Sequence, residues 1–140
     1  MPKFGKASKE RRAFLCKDLR RLLDKMIEIY DFSIIESFRD RETQERYYKN
    51  GSTKAHFGES AHNYNPSFAV DVYPYPCPKK QVKGVIQIDS DSLEWIRMTN
   101  LFKAYAAEMG IDIACGIDFK SFRDAPHIEI KDWRKKVKEI

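Results

Sequence analysis

Two short runs fix what this chain can fold into. In Phe68-Ala69-Val70-Asp71-Val72-Tyr73, period-two alternation puts Phe68, Val70 and Val72 on one face and Ala69, Asp71 and Tyr73 on the other. After Pro126, the run His127-Ile128-Glu129-Ile130 repeats the pattern, with Ile128 and Ile130 facing a core while His127 and Glu129 share the opposite face. Both runs predict half-buried strands. Side by side, two such strands would present Asp71 and His127 to one cleft, and the rest of the chain reads as scaffold for them.

His62 lies in a turn ahead of the first strand, and Asp124 stands three residues before His127. A hydrolytic zinc site takes three protein ligands from His, Asp and Glu and leaves a fourth position to water, whose pKa the metal lowers. His62, Asp71 and His127 form one such set. Amide hydrolysis then needs a carboxylate that takes the proton of that water and passes it to the leaving amine. Asp124 is the candidate for that general acid and base, with Glu129 next in line.

The remaining reactive side chains have plainer readings. His56 matches no motif position and reads as a surface loop residue. Ser60 sits two residues before His62 without the Gly-x-Ser-x-Gly turn of a nucleophile, so a hydrogen bond to substrate or loop backbone is its expected role. Cys16, Cys77 and Cys115 are odd in number and lack Cys-x-x-Cys spacing, which argues against a disulfide framework. Cys16 falls in a helical pattern and is expected in the core. A catalytic cysteine, with Cys115 the nearest to His127 in sequence, is the weaker alternative to metal chemistry.

Elements follow from periodicity. Leu15, Leu19, Leu22, Leu23, Met26, Ile27 and Tyr30 predict a packing helix over residues 8–30, broken near Cys16. Phe32 to Ser37 reads as a strand, and Asp40 as the cap of a helix from Arg41 to Asn50 that stops at Gly51. Residues 51–67 are too polar for a regular element and read as a functional loop. The Pro74, Pro76 and Pro78 run ends the strand that carries Asp71. Val85 to Asp89 is a short strand or connector, and Ser92 to Met109, closed by Gly110, a second core helix with Trp95, Met98 and Phe102 inward. Residues 111–115 give a further strand and residues 132–139 a short basic helix. Strands mostly separated by helices predict an α+β domain with a small, mainly antiparallel sheet.

At 140 residues the chain is expected to form one domain over residues 1–140, with a core large enough to need no staples. Its formal charge of +5 favours acidic partners without choosing among them, and no motif supports nucleic-acid binding. Lys and Arg spread over residues 9–25 and 131–138 read as solvated helix faces. No apolar run approaches a membrane span, and the start Met1-Pro2-Lys3-Phe4-Gly5-Lys6 lacks the apolar segment of a secretory signal. A monomer made in the cytoplasm is the expectation.

Ser60, His62, Ala69, Asp71, Asp124, Pro126, His127 and Glu129 together spell Ser-x-His, a turn, Ala-x-Asp and, much later, Asp-x-Pro-His-x-Glu. That order resembles the zinc peptidases of bacterial cell-wall peptides: VanY-like D-alanyl-D-alanine carboxypeptidases, dipeptidases and phage L-alanyl-D-glutamate endopeptidases. Phe4-Gly5-Lys6-Ala7-Ser8, Ser37-Phe38-Arg39 with Gln44, and Gly116-Ile117-Asp118-Phe119 extend the likeness over nearly the whole chain. Two departures stand out. His62 and Asp71 are nine positions apart, where the family commonly has seven, which places a two-residue insertion in the turn. Cys115 stands where a tryptophan is common.

The resemblance implies a small α+β domain with a zinc cleft, of the hedgehog and D-Ala-D-Ala peptidase kind, acting on peptidoglycan peptide stems in the bacterial cell wall. It implies that Arg39 faces the cleft and stabilises the oxyanion, with Gln44 a possible substrate contact. Among members, the opening Phe-Gly-Lys-x-Ser and compact length look most like phage endolysins that cut the L-alanyl-D-glutamate bond. The alternatives are a D-alanyl-D-alanine carboxypeptidase and a non-catalytic, zinc-containing binding module.

Overall fold

A computed structural model describes residues 2–139. The chain opens with helices α1 (Lys6–Arg12) and α2 (Lys17–Ile27), strand β1 (Phe32–Glu36) and helix α3 (Arg41–Lys49). After a long loop containing a 3₁₀ turn, Ala61–Asn63, come β2 (Ala69–Pro74) and a hairpin of β3 (Lys79–Val82) and β4 (Val85–Ile88). Helix α4 (Leu93–Met109), β5 (Ile113–Cys115), a 3₁₀ turn Gly116–Asp118, β6 (His127–Ile130) and α5 (Trp133–Lys138) complete the order. The four-stranded sheet runs β1-β2-β6-β5 and every pairing is antiparallel. This is the α+β architecture predicted from the alternation of strands and helices.

One face of the sheet meets α2 and α4. Val70 and Val72 of β2, Ile34 of β1 and Ile128 of β6 pack against Leu19, Leu22, Leu23 and Met26 of α2 and Met98 and Phe102 of α4, all buried. Each such side chain contributes roughly 1.5–3 kcal/mol by leaving water, which is what holds the strands in register. The edge strand β1 is also covered. Ile34 donates its N–H to the Ser8 hydroxyl and accepts from the Arg11 guanidinium, both at 3.0 Å, so α1 satisfies groups that would otherwise template a further strand.

The break between α1 and α2 has a long-range cause. Ser67 donates to the Phe14 carbonyl at 2.7 Å and accepts from the Cys16 N–H at 2.9 Å, an isolated parallel bridge at Leu15. Backbone groups of residues 14–16 therefore serve the loop before β2 and cannot continue the helix. The turn that carries the insertion is tied down as well: the buried Ser67 hydroxyl lies within hydrogen-bond reach of the Ser37 and Ala69 carbonyls.

Three other details depart from the sequence reading. Residues 51–67 contain a regular element after all, the 3₁₀ turn, whose Ala61, His62 and Asn63 are buried. Strand β2 runs through Pro74, which pairs with Phe32 near the end of the β1 edge strand. Lys79–Val82 forms a strand that pairs with Val85–Ile88 across the Lys83-Gly84 turn, where φ is 50° and 81°, the left-handed pair a two-residue hairpin demands. Both hairpin strands are exposed along their whole length.

Candidate active site

The face of the sheet turned away from α2 and α4 forms the floor of a cleft of about 750 Å³. In the β2–β6 ladder Asp71 is directly opposite His127. His62 arrives from the 3₁₀ turn, where the Ser60 hydroxyl accepts its N–H at 3.2 Å and Asn63 completes a capping box with Ser60. His62 Nε2 and His127 Nδ1 each lie 3.2 Å from Asp71 Oδ1, and the three donor atoms all fall within 4.8 Å of one another.

This donor set fits a metal ion. Tetrahedral zinc with bonds of 2.0–2.1 Å keeps its ligand atoms about 3.3 Å apart, close to the two separations here. The far nitrogen of each imidazole is committed elsewhere. His62 Nδ1 donates to the Ser37 carbonyl and His127 Nε2 to the Glu129 carboxylate, both at 2.7 Å. Those bonds fix both tautomers and leave a lone pair on each facing nitrogen, the usual outer-shell support of a metal-bound histidine.

The charges are strongly coupled. Burial would raise the Asp71 carboxyl, but the two imidazoles beside it outweigh burial and hold it far below the ordinary range. Burial likewise disfavours an imidazolium at His127, yet Asp71 and Glu129 on its two ring nitrogens raise it above its usual value. A divalent cation bound here would take the place of the protons otherwise shared in this cluster, and its uptake would be coupled to proton release.

Asp124 lines the same cleft. Burial, and then the nearby Asp71 charge, push its carboxyl above the ordinary value, with His127, His62 and Arg39 offsetting only part of the rise. It is held there by a tight turn: Asp124 donates its N–H to the Gly116 carbonyl at 2.9 Å, and His127 donates to the Asp124 carbonyl at 3.1 Å. A Cβ on Gly116 would lie 2.2 Å from the Asp124 carbonyl oxygen and 2.8 Å from His127 Cβ, so only glycine permits this approach.

Arg39 also faces the cleft, with a side chain only 10% exposed. Its Nε donates to Glu36 at 2.9 Å and its Nη1 to Gln44 at 2.9 Å, while Nη2 also meets Glu36 and lies 4.0 Å from Asp71 Oδ2. The guanidinium stacks on Tyr47, 4.8 Å from the ring centroid. Gln44 differs from expectation. It is fully buried and spans Arg39, Asn63 and the Ala55 carbonyl, so it positions the cation and cannot reach a substrate. Ser60 borders the cleft, its oxygen engaged in the cap.

The structure sets the other candidates apart. His56 is exposed, paired with Glu45 at 2.9 Å and stacked on Tyr48, away from the three-residue cluster. Burial pushes the Cys115 thiol up to about 11, which leaves no thiolate for nucleophilic chemistry. Residues that the sequence reading did not single out are Glu36 and Asn63, which brace Arg39 and the His62 turn. Their role comes from partners distant in sequence, and no local pattern announces it.

If Arg39 stabilises developing negative charge, Arg39→Ala should lower kcat by about 10²-fold, the scale of losing one oxyanion donor, with metal content unchanged. The control is Arg39→Ala combined with Glu36→Gln, which removes the stranded Glu36 charge. Recovery of near-normal turnover in the double variant would assign the loss to that charge and not to a missing donor.

A family model described as phage L-alanyl-D-glutamate peptidase matches residues 1–133. The peptidoglycan L-alanyl-D-glutamate endopeptidase CwlK of Bacillus subtilis is 30% identical over 112 residues, covering 71% of this chain and 60% of the relative. The chain thus spans about 60% of that relative's length. The crystal structure of the Serratia marcescens L-Ala D-Glu endopeptidase ChiX superposes with a TM-score of 0.72 at 23% identity, over 96% of this chain and 93% of that one. That likeness is one of fold. Among the described residues, no helix is long and apolar enough to cross a membrane.

Proposed function

Because the chain belongs to the phage L-alanyl-D-glutamate peptidase family, we propose that it is a zinc-dependent endopeptidase cutting the L-alanyl-D-glutamate bond of peptidoglycan stem peptides. The observation that carries this reading is the convergence of His62, Asp71 and His127 on one point in an open cleft, with Asp124 beside them. Two imidazoles and a carboxylate are a donor set that suits zinc. When bound, zinc supplies Lewis acidity, polarising the scissile carbonyl and acidifying an attacking water.

The side chains divide the remaining work. His62, Asp71 and His127 hold the ion, while Ser37 and Glu129 keep the two imidazoles in the required tautomers. Asp124 takes the proton of the attacking water and delivers it to the nitrogen of D-glutamate as the amide bond breaks. Arg39, fixed by Glu36 and Gln44, offers its cation to the oxygen on which charge develops. Ser60 holds the His62 turn and borders the bound peptide. A binding module would have no use for a proton-transfer carboxylate, and Asp124 weighs against that alternative.

Digestion of purified peptidoglycan followed by mass spectrometry of the fragments tests the bond. The expected products are glycan bearing only L-alanine and peptides with a free D-glutamate amine, both suppressed by chelator. Release of terminal D-alanine instead would make the chain a carboxypeptidase.

A further inference from the structure

One cation in the metal cleft is left without a task by the chemistry described so far. Residues 52–55 of the long loop line the cleft, and the Ala55 carbonyl accepts the Gln44 amide at 2.7 Å, which ties the loop to the side chain that braces Arg39. From that anchor Lys54 reaches over. Its ammonium lies 5.8 Å from the ring centroid of Phe122, a cleft residue two positions before Asp124. Arg39 follows β1 and Phe122 follows β5, and these are the two edge strands of the sheet. Lys54 therefore links the Arg39 wall to the Asp124 wall.

The other charges that border the metal ligands are committed. Glu36 holds Arg39, Glu59 accepts the His56 N–H at 2.7 Å, Asp71 lies between two imidazoles and Glu129 holds His127. Lys54, exposed at the mouth of the cleft, has no carboxylate partner among the described residues. Its contact with Phe122 is near the outer limit of a cation–π interaction, about 6 Å, so the ring places the ammonium and leaves its three N–H donors free. That arrangement suits an anion delivered by the substrate. Arg134, the other cleft cation without a carboxylate, stacks on Trp133 in α5, which follows β6 where Asp124 precedes it. The two cations thus serve opposite ends of the strand that carries His127.

We infer that Lys54 binds the free α-carboxylate of the D-glutamate whose amide is cut, and so sets the preference for that residue. The assignment rests on the endopeptidase reading above, since it uses the orientation of the scissile bond. In the stem peptide D-glutamate is joined onward through its side-chain carboxyl, which leaves the α-carboxylate ionised two bonds from the scissile nitrogen. With the carbonyl oxygen turned to Arg39 and the nitrogen to Asp124, that carboxylate falls on the Asp124 side of the cleft. Phe122 places the Lys54 ammonium on the same side. Stems whose D-glutamate is amidated to D-isoglutamine lose the anion and should be poorer substrates.

Two matched stem peptides test this, one with D-glutamate and one with D-isoglutamine. Wild-type kcat/KM should favour the first by about tenfold, the scale of one hydrogen bond to a charged group. Lys54→Gln should bring the ratio near one, Lys54→Arg should keep it, and Arg134→Gln should leave it unchanged. Calorimetry with the two amine-terminal product peptides supplies a readout without turnover. The carboxylate product should bind about tenfold more tightly than its carboxamide in the wild type and equally in Lys54→Gln. A wild type indifferent to the carboxylate, or a preference that survives Lys54→Gln or vanishes in Arg134→Gln, would overturn the assignment. If the wild type cuts neither peptide yet its binding preference depends on Lys54, the carboxylate site stands and the proposed reaction falls.

Discussion

Asp124→Asn should bind zinc at the wild-type level and lose about 10²–10⁴-fold in kcat, the range associated with a positioned acid and base. The substitution keeps the size of the side chain and a hydrogen-bonding group but cannot accept a proton. On the proposed reading Asp124 is not needed as a ligand, because His62, Asp71 and His127 would provide the three positions of a catalytic zinc and a fourth protein ligand would exclude water. Its elevated carboxyl, raised by burial and by Asp71, brings it nearer the working pH of a base. Elemental analysis and turnover on the same preparation decide the matter. Normal turnover would move the base elsewhere, and loss of zinc along with activity would make Asp124 a ligand. Glu129 is a poor substitute as base, since its carboxylate is occupied by His127 Nε2.

The second large effect is on the metal itself. A double variant, His62→Ala with His127→Ala, removes two of the three donors and should bind no zinc and hydrolyse nothing. Full occupancy in that protein would overturn the assignment. His56→Ala is the control and should retain both zinc and activity, because its ring is engaged by Glu45 and Tyr48 on the surface. Were zinc lost there, the altered turn between His62 and Asp71 would have recruited a different ligand.

Much of this arrangement was legible in the residues before any coordinates. Alternation exposed Asp71 and His127 because a strand with one buried face displays its polar residues at fixed period, and that signal is local. The helices α3 and α4 could likewise be read from Asp40, Ser92 and Gly110 at their ends. What escaped reading was set by distant partners. The break near Cys16 could be read but not its cause: Ser67 claims the backbone there, and nothing in residues 8–30 alone records that demand. Strand β3 escaped because Lys79–Val82 faces solvent throughout and has no burial pattern to display. Gln44, expected as a possible substrate contact, is instead wholly buried, because Arg39, Asn63 and the Ala55 carbonyl, none of them its neighbours in sequence, take up its amide.

The direct pairing of Asp71 with His127 has a consequence for how the protein is assembled. The two residues are 56 positions apart, and a slip of one residue between β2 and β6 would turn one of them toward the core. In the unfolded chain only His62 and Asp71 are near neighbours, so an ion would find at most two of the three donors together. Zinc should therefore favour the folded form by nearly the full mass-action term, rising with the logarithm of free metal. A bound ion would thus act as a proofreader of strand register, retained only by molecules whose sheet has closed in the right frame.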